Sequence, residues 1–271
     1  MKQKRNLKLL TASLGASLTV CSSHAAISVL STDVFDNGTS NLSGGSYTLN
    51  AFGADKLVMV VTGEAGNPGQ MSDGISGLSF DGVALTRLVD RNSIPESSPA
   101  AGDWDQIYND VWYLDASDYT GGAFTNSALD ITVTGGQRGF LAVIAMDGTL
   151  DGAGNSVIGP RDSNSASLTT DPGSIVVASY GMGGNGNTAS LSGVSWDGDV
   201  EVNAAEIGSN WNGQVIGYSN PVSGGTASYS FTDSSTAGAH VIAAEFLAIP
   251  EPSSSALLAL GGLALALRRR K

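Results

Sequence analysis

The run Leu57-Val58-Met59-Val60-Val61 is apolar at five successive positions, and Ile175-Val176-Val177-Ala178 is a second run of the same kind. Successive residues of a β-strand point to opposite faces, so a strand that is apolar throughout has no face prepared for water. Short runs of this type, bounded by turn residues, indicate central strands buried on both faces, or the core strands of a sandwich. The two runs therefore predict a β-rich core.

The rest of the body, between Ala26 and Ile249, has the pattern of strands and turns. Apolar residues occupy every second position from Leu129 to Thr134, which predicts a strand with one inward face. Clusters of Gly, Asn, Asp and Ser separate such segments, and no segment keeps a helical period. We predict an all-β body with candidate strands at 46–52, 56–62, 77–80, 83–89, 108–114, 128–134, 139–147, 167–169, 174–180, 188–196, 200–207, 214–219, 226–231 and 239–248.

The two halves of the body echo each other, over residues 50–148 and 167–248. The segment Ile75–Gly82 matches Leu191–Gly198, and both end in an aromatic residue followed by Asp-Gly. Asp tolerates and Gly favours positive φ, so the pair predicts a tight hairpin turn. The echo predicts a β-sandwich or jelly-roll-like body, residues 26–249, built from two similar halves. One sandwich with interleaved halves and two sandwiches in series both fit; we favour the single sandwich, because each half is small and the link around Asp151–Asn164 is short and polar.

Charge is distributed unevenly along the 271 residues, whose formal net charge is −12. The body from Ala26 to Ile249 holds five basic and twenty-four acidic residues, a net of −19. Such a body repels phosphate backbones, which argues against nucleic acid as a partner. The only cysteine is Cys21, so the sequence offers neither a disulfide framework nor a cysteine-based metal site.

The amino terminus has the three parts of a secretory signal peptide, residues 1–25. Four basic residues precede a mostly apolar run from Leu9 to Val20, and small residues follow. We predict cleavage after Ala25, with cleavage after Ala26 as the near alternative, and hence the Sec translocon and signal peptidase as partners. An uncleaved anchor helix, or a lipoprotein modified at Cys21, are further alternatives.

The carboxyl terminus, residues 250–271, also has three parts. Pro250, Glu251 and Pro252 precede an uncharged apolar segment from Ala256 to Leu267, and the chain ends in Arg268, Arg269, Arg270 and Lys271. With the preceding serines the apolar segment reaches about 22 Å as a helix, short of the ~30 Å hydrocarbon core of a bilayer. The terminal cations would keep this end cytoplasmic.

This tail resembles the PEP-CTERM sorting tail. The resemblance implies recognition by exosortase, a membrane-embedded transpeptidase thought to cleave near Pro-Glu-Pro, in Gram-negative bacteria that make extracellular polysaccharide. It implies that the C-terminal hydrophobic helix anchors the chain transiently before the protein reaches the cell surface or matrix. An ordinary C-terminal transmembrane helix is the alternative.

The body also resembles a two-sheet β-sandwich domain of bacterial secreted and surface proteins. The resemblance rests on Asp81–Arg87, Val111–Leu114, Ile131–Thr134 and Phe140–Gly148, and it implies no catalytic residue.

Candidate chemistry is sparse. The single histidine of the body, His240, lies in an apolar strand, so a histidine-based zinc site is excluded within one chain. We expect no cofactor; ordered calcium is the best metal candidate, because turns here are rich in oxygen ligands. The clusters that could supply such ligands are Asp33-Asp36-Asn37, Asp103-Asp105-Asn109-Asp110 and Asp147-Asp151-Asn155.

Sugar binding would need exposed aromatic faces. Trp211, in a Gly/Asn segment, and Trp104, beside Asp103 and Asp105, are the candidate glycan contacts, whereas Trp112 and Trp196 lie in predicted strands and belong in the core.

We therefore expect a non-enzymatic secreted protein with a structural or adhesive role. A carbohydrate-binding or carbohydrate-cleaving sandwich acting on exopolysaccharide is the alternative, and a self-assembling surface-layer subunit is a third.

Overall fold

The strands that carry the body are described in a computed structural model over residues 26–42, 47–49, 53–64, 75–90, 107–119, 124, 129–135, 138–160, 163–183, 194–195, 199–207, 212–231 and 240–250. Within these ranges the regular secondary structure consists of strands, with no helix. The all-β prediction is confirmed there, and the two predicted flanking helices lie outside these residues. The strands are β1 (Ser28–Asn41), β2 (Tyr47–Leu49), β3 (Lys56–Glu64), β4 (Ile75–Phe80), β5 (Val83–Ala84), β6 (Thr86–Asp90), β7 (Ile107–Asp115), β8 (Leu129–Gly135), β9 (Arg138–Asp147), β10 (Ser156–Ile158), β11 (Ser165–Thr170), β12 (Ile175–Gly183), β13 (Val194–Ser195), β14 (Asp199–Ile207), β15 (Asn212–Ser219), β16 (Gly225–Phe231) and β17 (His240–Phe246).

These strands form four antiparallel sheets. The first half of the chain forms a five-stranded sheet of order β1-β9-β3-β7-β6 and a four-stranded sheet of order β2-β8-β4-β5. The second half forms a five-stranded sheet of order β10-β17-β12-β15-β14 and a three-stranded sheet of order β11-β16-β13. No described strand of one half is hydrogen-bonded to a described strand of the other. The halves therefore do not interleave, and our preference for a single interleaved sandwich is wrong for these strands.

The sheets stack with three apolar layers between them. One layer lies between the two sheets of the first half and another between the two sheets of the second half. The middle layer lies between the two five-stranded sheets. Strand β3 shows how the chain supplies both sides, because Leu57, Met59 and Val61 enter the first layer while Val58 and Val60 enter the middle one. A strand between two layers must be apolar at every position, which is why the Leu57–Val61 run looks as it does.

The two five-stranded sheets pack in opposite order. Strand β1, at one edge of the first sheet, contacts β14 of the second, and β6 at the other edge contacts β10. In the middle, β3 contacts both β12 and β15, and β12 also contacts β7. In the strand orders given above, the first strand of each sheet therefore contacts the last strand of the other.

The Asp-Gly turn of the first half is a hairpin, as predicted. Phe80 pairs with Val83 across the turn, and φ is 49° at Asp81 and 78° at Gly82. The segment predicted as one strand, Val83–Val89, divides at Leu85. Its first part, β5, joins the four-stranded sheet and its second part, β6, joins the five-stranded sheet, so the buried Leu85 marks where the chain crosses between layers.

A matched pair of leucines tests the layered core. Leu57 is fully buried, whereas Leu30 on the edge strand β1 is 39% exposed. Leu57→Ala should lower the free energy of unfolding by about 2–5 kcal/mol, because it leaves a cavity in a packed layer. Leu30→Ala should change it by about 0.5 kcal/mol or less. Urea denaturation of both variants measures the difference, and equal losses would contradict the assigned layers.

Candidate functional site at the exit of the C-terminal tail

The two ends of the described body meet at Gly148. Strand β1 begins at Ser28, which pairs with Asp147, so the chain before it runs beside Gly148. A Cβ built on Gly148 would lie 3.0 Å from the carbonyl oxygen of Ala26. On its other side, the Ile249 N–H donates to the Gly148 carbonyl oxygen at 3.1 Å. The first and last segments of the body therefore leave it at the same place.

The last body residues are hydrogen-bonded to the chain that joins the two halves. The Leu150 N–H donates to the Leu247 carbonyl oxygen at 2.9 Å, and Ala248 is bridged to Thr149. Ala248 is buried, whereas Ile249 is 41% exposed. We call this pairing of Leu247–Ile249 with Gly148–Leu150 the exit pair. It holds the chain up to the residue before Pro250.

The Asp55 carboxylate fixes the inner side of the exit pair. Its Oδ2 accepts the N–H groups of Gly148 at 2.8 Å and Thr149 at 2.9 Å, and its Oδ1 accepts the Thr149 hydroxyl at 2.6 Å. The Asp55 main chain is itself held, because its N–H donates to Met146 and its carbonyl accepts from Ala116. Hydrogen bonds to an ionised carboxylate are stronger than neutral ones, so Asp55 makes Gly148 and Thr149 a rigid support.

A buried ion pair holds the next turn of the connector, which we define as residues 148–155. Lys56 and Asp115 form a salt bridge with both residues buried. The Lys56 ammonium also donates to the Gly152 carbonyl oxygen at 2.7 Å, and Asp115 Oδ2 accepts the Gly152 N–H at 2.7 Å. The pair therefore clasps both main-chain polar groups of Gly152, which satisfies charges that would otherwise be costly to bury.

Aromatic rings complete the surroundings of the Lys56 ammonium. It lies 5.1 Å from the ring centroid of Tyr113 and 5.9 Å from that of Phe246, within the range of cation–π attraction. Phe246 belongs to the second half, so Lys56 contacts both halves. Burial, and then the neighbouring Asp115 charge, raise the pKa of Tyr113 above its ordinary value.

Glu245 holds the far end of the connector against the second half. Its carboxylate accepts the Asn155 N–H at 3.1 Å, the Ser174 hydroxyl at 2.7 Å and the Asp171 N–H. A Cβ on Gly154 would lie 2.6 Å from Glu245 Oε2, so the chain passes close to the carboxylate only because residue 154 is glycine. Four charged side chains thus fix the connector: Asp55, Lys56, Asp115 and Glu245.

Sequence reasoning did not find these four residues. Each is a charge at or near the end of an apolar strand, where a charged residue usually marks the point at which the strand reaches solvent. Their partners are main-chain groups far away in sequence, and no spacing rule points to such contacts.

The predicted site residues fall on both sides of the described boundary. Ala26 and Pro250 are described and exposed. The other predicted site residues lie outside the described ranges: Ala25, Glu251, Pro252, Trp104, Trp211, Arg268, Arg269, Arg270 and Lys271. Trp112 is buried in the first layer under the Arg87 guanidinium, as its predicted core role requires, and Trp196 is outside the ranges.

Of the candidate calcium ligands, Asp103 and Asp105 lie outside the described residues. Asn109 and Asp110 are neighbours on β7 and therefore face opposite layers: Asn109 donates to the Ser179 carbonyl oxygen across the middle layer, and Asp110 faces Arg87. Asn155 donates to the Thr169 carbonyl oxygen. His240 is buried in β17 opposite Gly181. Among the described residues, no group of three or more His, Cys, Asp or Glu is placed to hold a metal ion.

The tail matches a known family. Residues 248–271 match the PEP-CTERM protein-sorting motif. This motif implies export of the protein and its sorting to the cell surface by exosortase, which is the partner that recognises the signal. Neither a curated protein nor a solved structure matches the chain. Within the described ranges, no helix is long and apolar enough to cross a membrane.

The motif begins inside the folded body. Its first two residues, Ala248 and Ile249, are the hydrogen-bonded end of the exit pair. Pro250 itself forms a β-bridge, so the paired chain continues into the first residue of the Pro-Glu-Pro triplet.

Gly148 is the first test of this site. Its φ of +82° disfavours side chains, and a Cβ there would press on the Ala26 carbonyl. Gly148→Ala should therefore lower the free energy of unfolding by about 1–3 kcal/mol. Gly82→Ala is the matched control, with a φ of +78° and open space around the built Cβ. Chemical denaturation should show the larger loss at Gly148, and equal losses would mean that crowding by Ala26 is unimportant.

The buried ion pair gives a second test. Lys56→Met leaves the Asp115 carboxylate buried without its cation and should cost about 3–5 kcal/mol of folding free energy. The double variant Lys56→Met/Asp115→Leu removes both charges and should be more stable than Lys56→Met alone. Thermal and urea unfolding of the wild type, both single variants and the double variant measure the coupling. Additive losses would show that the two side chains act independently.

Proposed function

We propose that this chain is a non-enzymatic structural or adhesive protein of the bacterial surface or extracellular polysaccharide matrix. It is exported by its signal peptide, held briefly in the inner membrane by its C-terminal helix, and released to the outside by exosortase in a Gram-negative-type host. The observation that carries the proposal is the sorting motif that begins at the last hydrogen-bonded residues of a β-sheet body.

The position of the two ends supports this route. The predicted mature amino terminus at Ala26 and the tail exit at Ile249 flank Gly148. The two membrane-directed segments therefore join the body at neighbouring residues. A body of buried strands held by main-chain hydrogen bonds suits a protein that must persist outside the cell.

We further propose that the body consists of two similar halves, each a small sandwich. Strand order supports this, because β9, β3 and β7 occupy in the first large sheet the places that β17, β12 and β15 occupy in the second. The smaller sheets correspond in the same way: β8 lies between β2 and β4 in one, and β16 lies between β11 and β13 in the other.

Carbohydrate binding is the second candidate, and one described face favours it. Strands β11 and β16 oppose Ser165 to Ser230, Ser167 to Ser228 and Thr169 to Thr226. The hydroxyls of Ser167 and Ser228 lie 3.0 Å apart. This uncharged row of donors and acceptors suits a neutral polyhydroxylated chain, to which each hydroxyl contributes weakly.

Intact mass of the protein from host fractions tests the proposed function. We expect a chain that lacks the residues after about Pro252, recovered from the cell surface or medium, and a full-length chain when Glu251→Ala disrupts the motif. Wild-type chain that still contains Ala256–Lys271, found in inner-membrane vesicles, would overturn the proposal.

Titration of the protein against polysaccharide from the host tests the second candidate. Wild type should bind, and Ser167→Glu/Ser228→Glu should bind at least tenfold more weakly, because two negative charges disrupt a neutral face. Ser76→Glu, at an exposed position of β4 in the first half, should bind like wild type. Absence of binding by all three proteins would remove this candidate.

A further inference from the structure

The exit pair leaves little free main chain for exosortase to bind on the N-terminal side of the Pro-Glu-Pro triplet, residues 250–252. Ile249 uses its N–H on Gly148, and Leu247 uses its carbonyl on Leu150. The recognised triplet starts at the next residue, Pro250. An enzyme that cuts a peptide must surround an extended stretch of main chain on both sides of the bond, and here one side is occupied by the body itself.

Release of the exit pair would supply the missing chain. An extended residue spans about 3.3–3.6 Å, so freeing Leu247, Ala248 and Ile249 adds roughly 10 Å of chain before the Pro-Glu-Pro triplet. Acidic residues beside the exit pair are a second reason why added chain before the triplet would favour processing. Asp147 and Asp151 are exposed on the segment that contains Gly148, and they repel anionic lipid headgroups on close approach.

We propose that the exit pair controls sorting: exosortase acts on the fraction of molecules in which Leu247–Ile249 has separated from Gly148–Leu150, and Asp55 sets that fraction. This inference rests on the proposed function, since it concerns how the same tail is processed. Asp55 is a positioning residue, because it holds Gly148 and Thr149 in the geometry that receives the tail.

The size of the effect follows from the bonds that open. Two main-chain hydrogen bonds of ordinary net strength make the open state about thirtyfold rarer than the closed state. Removal of this step should therefore speed processing by a factor between about three and thirty, depending on how far opening limits the rate.

A pulse-chase experiment with the full chain in its own host tests the inference, with loss of the tail followed by mass. The main variant inserts Gly-Ser-Gly-Ser between Ile249 and Pro250, which supplies free chain without touching the exit pair. We expect it to be processed at least about threefold faster than wild type. Asp55→Asn should also be processed faster, and the combination should be no faster than the insertion alone.

Asp81→Asn is the matched control for the loss of one carboxylate. Asp81 accepts the Tyr119 hydroxyl in the β4–β5 turn, and asparagine tolerates its positive φ. It should be processed at the wild-type rate. If Asp55→Asn fails to fold, the insertion still decides the question, because it leaves the body unchanged.

The two ways of failing are distinct. Equal rates for wild type and the insertion variant would overturn control by the exit pair while leaving exosortase sorting in place. Retention of the tail by every chain, including the insertion variant, would overturn the proposed function and this inference together.

Discussion

The packing of the two five-stranded sheets against each other is the constraint on which the rest of the structure depends. It buries the second face of β3, β9, β12 and β17, so these strands carry apolar side chains at almost every position. Each sheet has a further sheet on its other side, and the charged groups that hold the connector enter near the ends of the strands. The charged residues Lys56, Asp115 and Glu245 stand at such ends, where connector main chain is within reach. Apolar packing therefore brings these strand ends close to the connector, and the charged groups there hold it in place.

Features that depend on neighbouring residues could be predicted from the sequence. The Leu57–Val61 run, the alternation from Leu129 to Thr134 and the Asp81-Gly82 turn each express a local rule of strand or turn geometry. The sorting tail could be predicted for the same reason, since its three parts are contiguous in the sequence and can be identified without the fold.

Features that depend on residues distant in the sequence could not be predicted from it. The sequence analysis does not predict β1 because Ser28–Asn41 is rich in Ser, Thr, Asp and Asn, which typify loops. The segment forms a strand by pairing with β9, about a hundred residues away. The break at Leu85 follows from a change of sheet partner, which sequence periodicity does not register. The exit pair joins residues 148–150 to 247–249, and Asp55 reaches it from a third segment. Each of these contacts arises from sheet order, and the internal echo indicated repetition without indicating that order.

The middle layer also bears on how the two five-stranded sheets stay together when the exported protein is diluted. Two separate sheets that met through this face would be partners in an equilibrium, and partners released into a large volume drift apart by mass action. Here the connector keeps both sheets on one chain, so their local concentration stays the same however far the surroundings are diluted. The covalent connector thus makes the association of the two sheets independent of how much protein the cell exports.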